Sequence, residues 1–145
     1  LGATLTPLKG LSMRIYYGLN ETTDPTKENK QNLATFIGYK GKGFSIGSEY
    51  NLYKNDGNIK GNDLYGFSVY GSVKASKSTD IYARYDNLSS KDDWNKAKDE
   101  SAIIAGLQFK LGEYVKIAPN FRMSMPKQDN AENSYMGYVS CYFGF

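Results

Sequence analysis

The twelve residues 134–145, SYMGYVSCYFGF, alternate between two kinds of side chain. On one side of an extended chain lie the residues Tyr135, Gly137, Val139, Cys141, Phe143 and Phe145. The residues between them are mainly polar or small, such as Ser134 and Ser140. Successive side chains of a β-strand point to opposite faces, so this period of two predicts a strand with one apolar and one polar face. The stretch favours an all-β fold.

The same alternation repeats upstream. The predicted full strands cover residues 10–20, 31–41, 43–54, 63–75, 79–88, 100–112, 113–125 and 134–145. Ala3 and Leu5 keep the alternation and predict the stub of one more strand. Only 31–41 is ambiguous, because Phe36 and Ile37 fall on opposite faces. Each strand is about 9 to 13 residues long. Strands in globular proteins usually have about five or six residues, whereas a tilted transmembrane strand needs about nine to eleven.

The connections between these strands alternate in length. Short links, such as KGKG and ASKS, follow every other strand, and long polar links, such as NETTDPTKENKQ and SSKDDWNKAKDE, follow the rest. Short turns at one end and long loops at the other are typical of an up-and-down antiparallel membrane barrel. A soluble barrel with its apolar face inside is the alternative, but its links would be shorter at both ends. Residues 1–145 are therefore predicted to form a single transmembrane β-barrel domain, or part of one.

Composition limits the chemistry of the chain. With 40% hydrophobic residues and a mean hydropathy of -0.57, it has no run of the roughly 18 to 20 apolar residues that a spanning helix needs. The absence of histidine and the single cysteine, Cys141, remove most acid–base, Ser-His and zinc chemistry. The acidic residues of 92–100 lack calcium-loop spacing, and a net charge of +3 does not indicate nucleic acid. We expect no enzyme activity, no cofactor and no metal.

With the closing strand in place, the chain resembles Gram-negative outer-membrane β-barrels. The ending YVSCYFGF is similar to their C-terminal insertion signal, and TPLKGLSMRIYYG and YVKIAPNFRMSM are similar to porin-type barrels of the Bacteroidota. The resemblance implies that the barrel-assembly machinery reads the terminal strand, through the residues Val139, Cys141, Phe143 and Phe145. Cys141 stands where that family has a bulkier residue.

The polar face is predicted to line the interior. Its charged residues are Arg14, Glu49, Lys74, Asp80, Arg84, Asp86, Lys110, Lys116 and Arg122. Six cations against three anions predict a weak preference for anions. Eight strands alone, however, enclose a space that side chains fill. The open alternative is therefore a plugged barrel with a structural or surface-interaction role.

The predicted function is an outer-membrane porin that lets small hydrophilic solutes or anions diffuse through the cell outer membrane of a Gram-negative bacterium. Its predicted partners are outer-membrane lipid and the assembly machinery, with a homo-oligomer suggested by the resemblance. Interfacial rings are predicted on the apolar face from the tyrosines Tyr17, Tyr39, Tyr50, Tyr65, Tyr85 and Tyr135. The stub before the first short turn leads us to expect that the chain is the C-terminal part of a larger barrel.

Overall fold

The computed structural model describes residues 1–144 and is almost entirely β-structure. Its strands are β1 (Gly2–Leu8), β2 (Leu11–Asn20), β3 (Lys30–Lys40), β4 (Phe44–Lys54), β5 (Leu64–Lys74), β6 (Thr79–Ser90), β7 (Glu100–Lys110), β8 (Val115–Pro126) and β9 (Ser134–Phe143). Single 3-10 turns interrupt the loops at Asp56–Asn58, Lys91–Asp93 and Lys96–Lys98. Among these 144 residues no helix is both long and apolar enough to cross a membrane.

The strands form one nine-stranded sheet in chain order, and every neighbouring pair is antiparallel. All eight predicted strands are confirmed within about two residues, and the predicted stub is the seven-residue strand β1. Pairing of β7 with β8 is interrupted between the pairs Gly106–Asn120 and Phe109–Ile117. Pro119 lies in this gap and lacks the N–H group that the ladder needs, which explains the break.

The predicted barrel closure is not present. Within residues 1–144, β1 pairs with β2 alone and β9 pairs with β8 alone, so the sheet is open at both edges. In an up-and-down sheet of nine strands, the first and last strands run in the same direction. Joining β1 to β9 would require a parallel pair, whereas the barrels of bacterial outer membranes have an even number of antiparallel strands. The odd number of strands therefore explains why the predicted closure is not present.

The sheet curls toward its polar face. Ser45 of β4 and Ser140 of β9 line one cavity of about 360 Å³ on that face. In a flat sheet, strands five places apart would be separated by about 24 Å, since neighbours lie about 4.8 Å apart. Both residues reach one small cavity because the polar face is concave, and the apolar face is therefore convex.

The apolar face is not covered by any other layer. Its side chains stay exposed to a large extent, for example Ile46 at 54%, Phe121 at 47% and Val139 at 68%. Ala118 is the one hydrophobic residue in the described part of the chain that is buried. Folded domains normally bury such a face against a second layer. This sheet therefore has no hydrophobic core of its own.

The long loops are joined to one another by hydrogen bonds. The Glu28 amide donates to the Asn58 carbonyl at 2.9 Å, the Trp94 indole to the Asp63 carbonyl at 2.8 Å, and the Lys127 amide to the Asp99 carbonyl at 2.8 Å. The buried Asp99 carboxylate accepts bonds from the Ser90 amide and hydroxyl at 2.7 and 2.9 Å. Four loops that the sequence presents as separate polar segments thus form one connected rim.

Ion pairs and local turns strengthen this rim. The Lys96 ammonium lies 3.0 Å from the Asp129 carboxylate in the next loop, and this hydrogen-bonded contact raises the pKa of Lys96. Within the first long loop, the Thr26 hydroxyl and amide donate to the Asp24 carboxylate and lower the pKa of Asp24. Both shifts favour the charged forms that make these contacts.

Gly106 provides a test of the packing on the concave face. A Cβ there would lie 2.6 Å from the Pro119 carbonyl oxygen and 2.8 Å from the Tyr82 hydroxyl, whereas a Cβ on Gly137 would meet nothing within 4 Å. We expect Gly106→Ala to lower the free energy of unfolding by about 1–3 kcal/mol and Gly137→Ala to change it by less than about 0.5 kcal/mol. Urea unfolding followed by circular dichroism measures both. Equal effects would contradict the tight contact.

Candidate functional site: the concave polar face

The register places all nine predicted pore-lining residues on the concave face. Residues opposite one another in the ladder share a face, and Glu49 lies opposite Ser68, which lies opposite Asp86. Lys74 is paired with Asp80, and Lys110 with Lys116. The structure thus brings these charges to one surface, and their role in lining a pore stays a prediction.

The nine residues fall into separate groups along the concave face. Arg14 and Glu49 line a cavity of about 360 Å³ near β3, and Arg84 and Arg122 line the similar cavity that reaches β9. A third cavity, of about 370 Å³, lies at the end of the short turns and is lined by Lys40, Lys74, Lys110 and Asp80, among others. The first two groups lie in the middle of the strands, and the third lies at their turn end.

The central group is held together by its own contacts. The Arg84 Nε donates to both carboxylate oxygens of Asp86 at 2.8 Å, and the Ser68 hydroxyl also donates to Asp86. The Tyr70 hydroxyl donates to Glu49 at 2.8 Å, and the Arg84 guanidinium lies 5.2 Å from the centre of the Tyr70 ring. These five side chains form one polar network across β4, β5 and β6.

The two other arginines have neutral partners. Arg122 donates to the Asn120 side chain at 2.9 Å and lies 4.3 Å from the centre of the Tyr138 ring, a cation–π distance. Arg14 donates to the Thr4 hydroxyl at 3.3 Å. Alternation along the strands predicted that both arginines lie on the polar face. It did not predict their partners, because alternation does not show which side chains contact one another.

The lysines of the turn end differ from these arginines. In the part of the chain that the structure describes, Lys40, Lys74, Lys110 and Lys116 make no ion pair. Sequence analysis missed Lys40 because its strand, β3, was the ambiguous one. The register resolves that strand, since Lys40 is paired with Ser45, which is paired with Ser72 on the concave face.

The two ends of the sheet also carry opposite charge. The strand ends and short turns at the turn end hold seven lysines against two carboxylates, Asp80 and Glu113. The long loops 21–29, 55–63, 91–99 and 127–133 hold ten carboxylates against six lysines. The potential across the concave face therefore rises from the loop end toward the turn end.

Three residues of the predicted assembly signal, Val139, Cys141 and Phe143, lie on the opposite, convex face. Val139 and Phe143 are 68% and 67% exposed, and Cys141 is also exposed. Register pairs them with Pro119, Val115 and Ile117 of β8. Phe145, the last member of the predicted signal, lies outside the described residues. Its recognition by assembly machinery stays a prediction.

Residues 1–144 contain no group of three His, Cys, Asp or Glu side chains that could hold a metal ion. Cys141 is exposed on the convex face, where it is paired with Ile117, whereas the charged groups lie on the concave face. The concave face carries guanidinium, ammonium, carboxylate, hydroxyl and amide groups around its three cavities. Such a surface can bind and orient ions and small polar solutes.

Comparison of the chain with protein families, with curated proteins and with solved structures finds no match. Its function is therefore inferred from its own residues and their geometry.

The central network generates a prediction that compares two carboxylates of β6. Asp86 accepts bonds from Arg84 and Ser68, whereas Asp80 accepts one long bond, 3.4 Å, from Gln108. We expect Asp86→Ala to lower the free energy of unfolding by about 1–3 kcal/mol, because it leaves Arg84 without its acceptor. Asp80→Ala should cost less than about 0.5 kcal/mol. Urea unfolding of both variants decides, and a larger loss for Asp80→Ala would contradict the network.

Proposed function

We propose that this chain is a porin-like membrane β-barrel protein of a Gram-negative outer membrane, which lets small hydrophilic solutes diffuse with a weak preference for anions. The observation that supports this proposal is the exposed apolar face on the convex side of the sheet, with the charged side chains on the concave side. A lipid bilayer covers a convex apolar face without a second protein layer.

The curvature also argues against a soluble ligand-binding barrel. A soluble barrel of that kind places its apolar side chains inside, on the concave surface, and polar ones outside. Here Ile46, Phe121 and Val139 are on the convex face, while Arg84 and Glu49 are on the concave face. In water, exposed apolar area costs about 25 cal/mol per Å² relative to buried area. The arrangement is thus favourable in lipid and unfavourable in water.

The tyrosines support a membrane boundary at the loop end. All six predicted lipid-facing tyrosines lie on the apolar face by register, for example Tyr17 opposite Leu33 and Tyr85 opposite Val69. Tyr65 and Tyr135 are the second residues of β5 and β9, next to the long loops, where amphipathic rings suit the interface. Tyr17, Tyr50 and Tyr85 are the seventh residues of β2, β4 and β6, nearer the strand centres.

Closure of the sheet into a barrel is part of the proposal. Because β1 and β9 run in the same direction, an all-antiparallel barrel needs an odd number of further strands between them. An odd number of further strands, from this chain or from another, would therefore be needed for closure. We propose that the polar network of Arg84, Asp86 and Glu49 then faces an aqueous interior and fixes its shape.

A second candidate is favoured by that same network. Arg84 pairs with Asp86, Tyr70 donates to Glu49, and these side chains occupy the middle of the concave face. In a barrel of few strands, such side chains fill the interior. The chain would then be a plugged barrel with a structural or surface-interaction role, and its loop rim would be the interacting surface.

Gel mobility and conductance test the two candidates. A membrane barrel keeps its fold in dodecyl sulfate until it is boiled, so we expect boiled and unboiled samples to migrate differently. In planar bilayers under a salt gradient, we expect discrete conductance steps. The sign of the reversal potential should show that anions are more permeant than cations. Identical gel mobility would contradict the membrane barrel. Insertion without conductance would favour the plugged barrel. A reversal potential whose sign indicates cation selectivity would contradict the anion preference.

Two adjacent residues of β7 test which face contacts lipid. Leu107 lies on the convex face opposite Ile81, and its neighbour Gln108 lies on the concave face beside Asp80. We expect Leu107→Lys to reduce the heat-sensitive folded form and to cost up to about 2–4 kcal/mol of stability in lipid, depending on depth. Gln108→Lys should fold normally, because the new ammonium faces Asp80. Urea unfolding in lipid vesicles measures the difference, and equal tolerance would argue against lipid contact.

A further inference from the structure

Three lysines recur at equivalent positions of the sheet. Lys40, Lys74 and Lys110 are the last residues of β3, β5 and β7. The amide of each donates to a carbonyl of the preceding short turn, at 2.8 Å to Gly10, 2.7 Å to Gly43 and 2.8 Å to Ser78. The main chain therefore holds the three lysines in the same way, at the base of successive hairpins, and the register places them on the concave face.

Curvature brings these lysines together. Lys40 and Lys110 are four strands apart, about 19 Å in a flat sheet, yet both line one cavity of about 370 Å³ with Lys74. Lys116 adds a fourth ammonium because it lies opposite Lys110 in the ladder. Like charges directly opposite each other destabilise a sheet, so the structure keeps this arrangement at a cost in stability.

Countercharge at this cavity is small. Asp80 is the one carboxylate that lines it within residues 1–144, against three lining lysines. Ser45 and Ser72 also line the cavity, and their hydroxyls lie 2.8 Å apart. Ammonium groups with neighbouring hydroxyls suit an oxyanion, since each can donate a hydrogen bond to a charged oxygen. A multivalent oxyanion would also relieve the repulsion between the lysines.

We propose that the cavity at the turn end is a binding site for a small multivalent oxyanion of the phosphate type, held by Lys40, Lys74 and Lys110. The three lysines lie on the concave face by register, and that face is the one that a free solute would reach. A role of this site in anion permeation rests on the proposed function. Binding of the oxyanion depends only on the folded sheet.

Two double variants test the site. Lys74→Gln with Lys110→Gln removes two lining ammonium groups, whereas Lys42→Gln with Lys77→Gln removes the same charge from exposed turn residues at the same end that do not line the cavity. Inorganic phosphate is the probe, and its binding to the full chain folded in detergent is measured by calorimetry. We expect the lining pair to weaken binding by about tenfold or more, as loss of a charge-assisted hydrogen bond does. The turn pair should change it less than about twofold.

Conductance separates this inference from the proposed function. In bilayers of zwitterionic lipid with chloride as the carrier, we expect phosphate to reduce the current and the lining variant to need about tenfold more phosphate. Failure to insert, with phosphate binding intact, would count against the porin and leave the site standing. Insertion without phosphate binding, equal effects of the two double variants, or binding of chloride as tightly as phosphate would overturn the site. Circular dichroism confirms that each variant is folded.

Discussion

The structure depends on one constraint, the period of two in its side chains. Nine antiparallel strands in chain order carry most of their large apolar residues on one face and most of their charges on the other. Neither face is packed against a second layer, so Ala118 alone among the hydrophobic residues 1–144 is buried. Within residues 1–144, the ladder of backbone hydrogen bonds therefore holds the sheet together without a hydrophobic core. The proposed function assigns the cover of the apolar face to lipid.

The curvature of the sheet brings polar side chains of distant strands together. The polar face is concave, so side chains four and five strands apart line common cavities. In the middle of the strands, Arg84 pairs with Asp86, and Tyr70 donates to Glu49. At the turn end, the lysines lack such partners among the described ion pairs. The same face thus combines a hydrogen-bonded centre with a positive end.

The sequence predicted the strands well because alternation is a local property. Strand β3 stayed ambiguous for the same reason, since Phe36 and Ile37 differ in face but not in hydrophobicity, and only pairing with Arg14 and Met13 decides between them. Closure could not be predicted from alternation, because it depends on how many strands exist and in which direction the edges run. The hydrogen-bonded loop rim, with the buried Asp99, was equally beyond a pattern that treats polar loops as solvated.

The cavity lysines show the same limit at the level of the site. Alternation along the strands placed Lys74, Lys110 and Lys116 on the polar face, but it did not distinguish them from Arg84 and Arg122. What separates them is contact, since each arginine has a bonded acceptor or an aromatic ring within reach, whereas the lysines make no ion pair among residues 1–144. Only the register shows that Lys40 belongs with them. Contacts across strands therefore determine which charges of the concave face have partners, and alternation along one strand does not show these contacts.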